Sequence, residues 1–155
     1  MIARLAREED KVALASFTCC DRSADYEAEV EDWVRAESWD WFSQGEEDDT
    51  HLILFVENES GHLLAVGAHE SADWGRFINV LAVARDSQGR GIGLTAMVSL
   101  IEDCAQIAPG RSAMWNVHPR NHRSIRMSER VGADYTQPDH LLSFRLALPT
   151  LPGSA

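Results

Sequence analysis

Residues 81–94, LAVARDSQGRGIGL, decide how the rest of the chain is read. The stretch begins inside an apolar run, residues 77–83 (FINVLAV), with the β-branched and aromatic content of a strand. It ends in a helical pattern, because Leu94, Met97, Val98 and Ile101 fall at i, i+3, i+4 and i+7. Between strand and helix, Gly89, Gly91 and Gly93 form a turn whose backbone N–H groups converge at the positive end of the helix dipole. Such a turn binds anions: missing Cβ atoms let a diphosphate approach the amides, and Gln88 and Arg90 can add side-chain donors. A plain tight turn with close helix–sheet packing would use the same glycines. Two other phosphate-binding units are excluded. A dinucleotide-binding βαβ unit wants G-x-G-x-x-G near the chain start and an acidic residue about 20 positions on, whereas this turn follows several strands. A Walker loop needs G-K-S or G-K-T, and the sole lysine is Lys11.

Outward from this segment the periodicity alternates between strand and helix. Residues 2–6 are expected as a short edge strand. Helices are expected over about 8–18 and 24–42, the second carrying Tyr26, Val30, Trp33, Val34 and Trp41 on one stripe. Residues 44–50 (QGEEDDT) read as an acidic loop, and 51–57 and 62–68 as a hairpin around a turn at 58–61. A helix over about 91–106 stops at Pro109 and Gly110. Residues 112–117 form a strand, a helix runs through Ile125, Met127 and Val131 to Gly132, and 141–148 are the last strand. This order predicts an α+β fold of about 6–7 strands, a mixed and mostly antiparallel sheet flanked by about 4 helices, not a doubly wound one. One domain over 1–149 and a loosely held tail at 150–155 are expected.

Composition narrows the class of function. With 155 residues, 45% hydrophobic and 25% charged, the chain is a globular domain with a real core. No apolar run approaches the ~20 residues that span a bilayer, and the opening MIARLAREEDK lacks a signal-peptide core, so a cytoplasmic protein without membrane attachment is expected. Cys19, Cys20 and Cys104 make neither a disulfide framework nor a metal knuckle and are expected as reduced thiols. The net charge of −11 argues against nucleic-acid binding. The charge is unevenly placed: residues 1–75 carry 5 basic and 19 acidic side chains, and residues 76–155 carry 9 and 6. A cationic partner near the first half and an anionic one near the second would suit that layout.

Two motifs taken together identify a family. Gln88-x-x-Gly91-x-Gly93 follows Leu81–Ala82–Val83, and Val117–His118–Pro119–Arg120–Asn121-x-x-Ser124 leads on to Gly132–Ala133, in that order. The sequence resembles the GNAT superfamily of acyl-CoA-dependent N-acetyltransferases, well over residues 50–148 and more loosely before them. The resemblance implies a sheet splayed between its fourth and fifth strands, here 77–83 and 112–117, with acetyl-CoA as co-substrate and no metal. Leu81, Ala82 and Val83 would flank the pantetheine arm, the main-chain groups of Leu81 and Val83 binding it. Gln88, Gly89, Arg90, Gly91, Ile92 and Gly93 would hold the diphosphate. Asn121, also an N-cap, and the small Ser124 would contact the cofactor, and one or two of Arg120, Arg123, Arg126 and Arg130 would meet its 3′-phosphate.

Seven residues after the Asn many members carry a Tyr that protonates the departing thiolate, and this chain has Ser128. A thiol of pKa about 8.5 tolerates that loss; Tyr135 is an outside candidate. The acceptor amine, of pKa ~10.4, costs ~4–5 kcal/mol to deprotonate at pH 7, so a base is expected. The fourth strand offers Asn79 and no carboxylate, which leaves Glu70, His69 and His118 as candidates, Glu70 and His118 foremost. Trp33 and Trp41, with Trp39 and Phe42, either floor an acceptor pocket that includes Asn79 or pack the core. His118 and His122 share an H-x₃-H spacing without a third metal ligand. The expected enzyme moves an acetyl group to a primary amine, a small cationic amine or a basic peptide end, by direct attack through a tetrahedral intermediate. A regulator that binds acyl-CoA without turnover is the alternative class, and a protein or peptide N-acetyltransferase is another. A homodimer is compatible with the sequence.

Overall fold

In the computed structural model, which describes residues 1–45, 49–59 and 61–150, one sheet is built from β1 (Ile2–Leu5), β2 (Thr50–Val56), β3 (Leu63–Ala72), β4 (Gly75–Val83), β5 (Ser112–Val117), β6 (Asp134–Thr136) and β7 (Leu142–Ala147). Their order is β1-β2-β3-β4-β5-β7-β6. Every neighbouring pair is antiparallel except β4 and β5, which are parallel. Five α-helices flank the sheet among the described residues: α1 (Lys11–Ala15), α2 (Asp25–Ala36), α3 (Ser38–Gln44), α4 (Ile92–Ile107) and α5 (His122–Arg130). The mixed, mostly antiparallel α+β architecture is the expected one.

Strand alternation divides the apolar residues between two cores. Ile53 and Phe55 of β2 pack with Met97, Leu100, Trp115 and Phe144 on the α4 face. Leu52, Leu54 and Val56 pack with Leu14, Phe17 and Val34 on the face covered by α1 to α3. On β4 the alternation slips: Ile78 belongs to the α4 core, whereas Val80 and Ala82 belong to the other. A bulge causes the slip. Ala68 pairs with Val80 and His69 with Ile78, so Asn79 is the extra residue on β4.

The β4–β5 seam is short. It runs from Gly75↔Ser112 to Phe77↔Met114, and residues 78–83 continue without a β5 partner. Gly75 is required at its closed end, because it has φ +146° and a Cβ there would collide with the Ser112 carbonyl.

Three elements differ from the sequence expectation. The first helix is a 3₁₀ turn (Glu8–Asp10) followed by the five-residue α1, in which Val12 is 79% exposed. The expected 24–42 helix is two, broken at Glu37, where φ is −122° and no Gly or Pro signals the break. Ser38, fully buried, donates its hydroxyl to Val34 O across the break. β6 was not expected: all its residues are exposed, so it carries no alternation to read. Parts of the acidic loop (46–48), of the hairpin turn (60) and of the tail (151–155) lie outside the described residues.

Candidate active site

The unpaired length of β4 opens onto a cavity of about 730 Å³. Ala84 N–H donates to Leu64 O at 2.8 Å, which sets the phase of the β3–β4 ladder. Residues 80 and 82 therefore exchange hydrogen bonds with β3, and Leu81 and Val83 turn their N–H and C=O groups toward the gap. The glycine turn lies at the mouth. Gly89 and Gly91 have φ +79° and +77°, and the space a Cβ would fill at either is open. Gly91 is the N-cap of the 16-residue α4, whose first-turn N–H groups have no carbonyl one turn back. At Gly93 a Cβ would make only ordinary contacts, 3.4 Å from Val83 Cγ2 and 3.6 Å from Met127 Sδ.

Gln88 does not offer donors to the mouth. Its Nε2 donates to Cys19 O at 2.7 Å and Val83 O at 3.1 Å, and its Oε1 accepts from Arg123 Nη1 at 3.0 Å. It straps the turn to the N-terminal segment and to β4. Arg90 is exposed and lies outside the cavity lining, whereas Leu81, Ala82, Val83, Gln88, Gly89, Gly91, Ile92, Gly93, Asn121 and Ser124 all contribute to it. Asn121 caps α5, its Oδ1 accepting from Ser124 N at 3.2 Å. Arg120, Arg123, Arg126 and Arg130 line the same cavity and give it a cationic rim. A diphosphate carrier fits these residues, since open cradle, helix N-terminus and guanidinium groups coincide.

Tyr26 of α2 and His118, just past β5, form a wall that the sequence did not disclose. Their rings stack at 4.4 Å and 8°, and Tyr26, Glu27 and Val30 line the cavity. Burial pushes the Tyr26 phenol above its ordinary value, with the Glu27 carboxylate adding to it. His118 Nδ1 accepts from Arg120 N–H at 3.1 Å.

Ser128, considered as a stand-in for the family's acid, sits below the surface. It is fully buried, donates to Ser124 O at 2.7 Å and accepts from Trp115 Nε1 at 2.9 Å. It has no proton free to hand on, so its position in α5 is structural. Tyr135 is 54% exposed and packs its ring on Phe144, away from the cavity lining.

On the α1–α3 face a second hollow, about 660 Å³, is lined by Trp33, Glu37, Asp40, Trp41 and Thr50 among others. Trp33 and Trp41 meet edge to face at 5.6 Å. Thr50 pairs directly with Glu70, so the two side chains share that face. Glu70 Oε1 in turn accepts from Asn79 Nδ2 at 3.0 Å. The hollow, Thr50, Glu70 and the bulge residue thus form a continuous line toward the β4–β5 gap.

On the opposite face lies a buried charged network. Arg76 Nε donates to His69 Nδ1 at 2.9 Å, placing the imidazole proton on Nε2, which donates to Asp103 Oδ2 at 2.6 Å. His51 Nδ1 reaches the same oxygen at 2.8 Å. Burial pushes His69 below its ordinary value, against the pull of Asp103. Burial raises Asp103, but the hydrogen bonds from His51 and His69 outweigh it and hold the carboxyl well below the usual range. His51, His69 and Asp103 stand close enough to share a metal ion, yet Arg76 at Nδ1 keeps the His69 proton on the nitrogen a metal would need. His69 is therefore a structural hub and not a base. Glu31 is a second hub: burial raises it, but the Cys19 N–H, Arg22, Arg35 and Cys20 bring it to about 2. Burial also pushes the Cys19 and Cys104 thiols up to about 12, as suits unreactive free cysteines.

A mixed sheet parted between parallel fourth and fifth strands, with a glycine turn opening a helix at the mouth, is the GNAT acetyltransferase fold. Residues 1–134 match the model of the acetyltransferase (GNAT) domain, and the chain belongs to that family. Acyl transfer is the class of activity the family indicates. No curated protein sequence matches the chain. Among solved structures it is similar to the ribosomal-protein-alanine N-acetyltransferase of Brucella melitensis, with 18% identity, 96% of this chain and 100% of that one covered, and TM-score 0.72. A Salmonella typhimurium protein solved with its cofactor acetyl-CoA is 16% identical over 100% and 98% of the two chains, with TM-score 0.62. The spermidine N-acetyltransferase of Vibrio cholerae, in complex with CoA and spermine, is 9% identical over 95% and 95%, with TM-score 0.69. At these identities the likeness is one of fold. No helix among the described residues is long and apolar enough to cross a membrane.

Proposed function

We propose that the protein transfers the acetyl group of acetyl-CoA to a primary amine, with a small cationic amine as the favoured acceptor. The observation that carries this reading is the open β4 edge, which leads from the glycine turn at the mouth to Glu70 and Asn79 at the closed end of the gap. The first-turn amides of α4 and the guanidinium rim would hold the diphosphate. Leu81 and Val83 would bind the pantetheine arm as a neighbouring strand would, one of their N–H groups meeting the oxyanion. The acceptor would enter from the hollow under Trp33 and Trp41, where Glu37 and Asp40 favour a cation and the indoles can face it. Glu70 is the favoured base because it lies between that hollow and the gap; His118, stacked on Tyr26, is the second. The amine nitrogen attacks the thioester carbon, the C–S bond breaks, and the thiolate leaves without a dedicated side-chain acid. The reading calls for no metal and no covalent enzyme intermediate. Relatives by fold that are named for spermidine and for a ribosomal-protein alanine agree with an amine acceptor.

Thiol release from acetyl-CoA, measured across cationic, neutral and anionic amines, tests the reading. Turnover with cationic primary amines is expected. Activity confined to anionic amines would overturn the acceptor class, and tight acetyl-CoA binding with no turnover on any amine would select an acyl-CoA-binding regulator instead.

A further inference from the structure

We infer that Asn79 is the residue that binds and orients the attacking amine, through its side-chain carbonyl, and that it thereby selects nitrogen acceptors over oxygen ones; this rests on the amine-acetylation reading above. Three observations meet at this residue. First, Asn79 Oδ1 is buried and has no hydrogen-bond partner, and it stands alone in this among the side-chain atoms of the described residues. A buried carbonyl left without a donor is destabilising, so such an atom beside the unpaired edge of β4 marks the place of a donor carried by a ligand. Second, Asn79 is the bulge residue of β4, two positions beyond Phe77, where pairing with β5 ends. Bulges re-aim a side chain that regular alternation would place elsewhere. Third, the amide cannot present its other end. Nδ2 donates to Glu70 Oε1 at 3.0 Å, and a flipped amide would set carbonyl against carboxylate. The free atom is therefore an acceptor, and its ligand must be a donor.

The chemistry that fits is a primary amine arriving as an ammonium ion from the side of Thr50 and Glu70. One ammonium proton passes to the Glu70 carboxylate and from there to solvent. The neutral amine keeps two N–H groups, one of which donates to Asn79 Oδ1 while the lone pair points at the thioester carbon. The C–N bond forms, the C–S bond breaks with its electron pair on sulfur, and the second nitrogen proton ends on the thiol. An alcohol that gives its proton to Glu70 has none left for Asn79, so oxygen nucleophiles lose the orienting contact.

Asn79→Ala and the isosteric Asn79→Asp test the assignment against propylamine, putrescine and spermidine, with amine and acetyl-CoA affinities read by calorimetry and amine kcat/KM by thiol release. Asn79→Ala is expected to lose at least tenfold in amine affinity and in amine kcat/KM, with acetyl-CoA affinity within twofold of wild type. Asn79→Asp keeps an acceptor oxygen but loses the donor to Glu70, and is expected to hold the amine more tightly than Asn79→Ala. Amine affinity and kcat/KM unchanged in Asn79→Ala would overturn the inference. So would parallel loss of acetyl-CoA binding, which signals a structural role, or an Asn79→Asp protein as weak toward amines as Asn79→Ala. If the wild type binds an amine in an Asn79-dependent way but transfers no acetyl group, the transfer reading falls and the amine site stands. If it binds none of the three amines, the amine site falls, whatever the outcome with acetyl-CoA.

Discussion

Ser128 and Gly91 show how differently two residues of one motif set can act. Ser128 joins Trp115 to the Ser124 carbonyl inside α5, so Ser128→Ala orphans a buried indole N–H. A cost of about 1–3 kcal/mol is expected, read as a lowered Tm, while kcat for amine acetylation stays at the wild-type value. A fall in kcat without loss of stability would restore Ser128 as a chemical participant. Gly91 has φ +77°, a conformation that costs a residue with a Cβ roughly 1–2 kcal/mol, and its missing side chain leaves the cradle open. Gly91→Val is therefore expected to weaken acetyl-CoA binding at least tenfold by calorimetry. Unchanged affinity would remove the anion-site assignment from this turn.

At the scale of elements, the turn before α4 is held by a side chain rather than by its own backbone alone. Gln88 ties it to Cys19, to β4 and to Arg123 of α5. Gln88→Ala frees all three, and acetyl-CoA affinity is expected to drop severalfold with little change in Tm, since the strap is only partly buried. A Tm loss as large as that of Ser128→Ala would make it a folding element instead. These contacts also mark where sequence reading stops. The strand, glycine turn and helix of residues 81–94 were legible because their signals are local: period, φ-permissive glycines, a helix stripe. The Asn121 cap was legible for the same reason. The Gln88–Cys19 strap joins residues 69 apart, and the Asn79 bulge exists only in the register of β4 against β3, so neither has a local signature. The burial of Ser128 depends on Trp115 of β5 and has no local signal, and nothing in residues 34–40 announces the break at Glu37.

For the whole molecule, pH and ionic strength report the buried hubs and the uneven charge. His69 titrates below its ordinary value, so the unfolded chain takes up that proton first as pH falls. Its contribution is fully present above about pH 6.5 and is lost below it. Glu31 and Asp103 are held low; their contributions are present above the ordinary carboxylate range, about pH 4, and are lost as the solution becomes more acidic. Tm is accordingly expected to decline in two stages between pH 8 and pH 3, and His69→Gln should abolish the first. A flat profile down to pH 5 would contradict the His69 assignment. The acidic first half predicts that kcat/KM for a cationic amine falls as salt rises from about 0.01 M to 0.1 M, where the Debye length shrinks from about 30 Å to about 10 Å, with neutral amines unaffected. One feature of the sheet reaches further than the site. Its two halves are stitched by three rungs between β4 and β5, and beyond them β4 offers its polar edge to whatever lies in the cleft. On the proposed function, a co-substrate seated there would serve as a surrogate strand, and each release of product would reopen the sheet along that line.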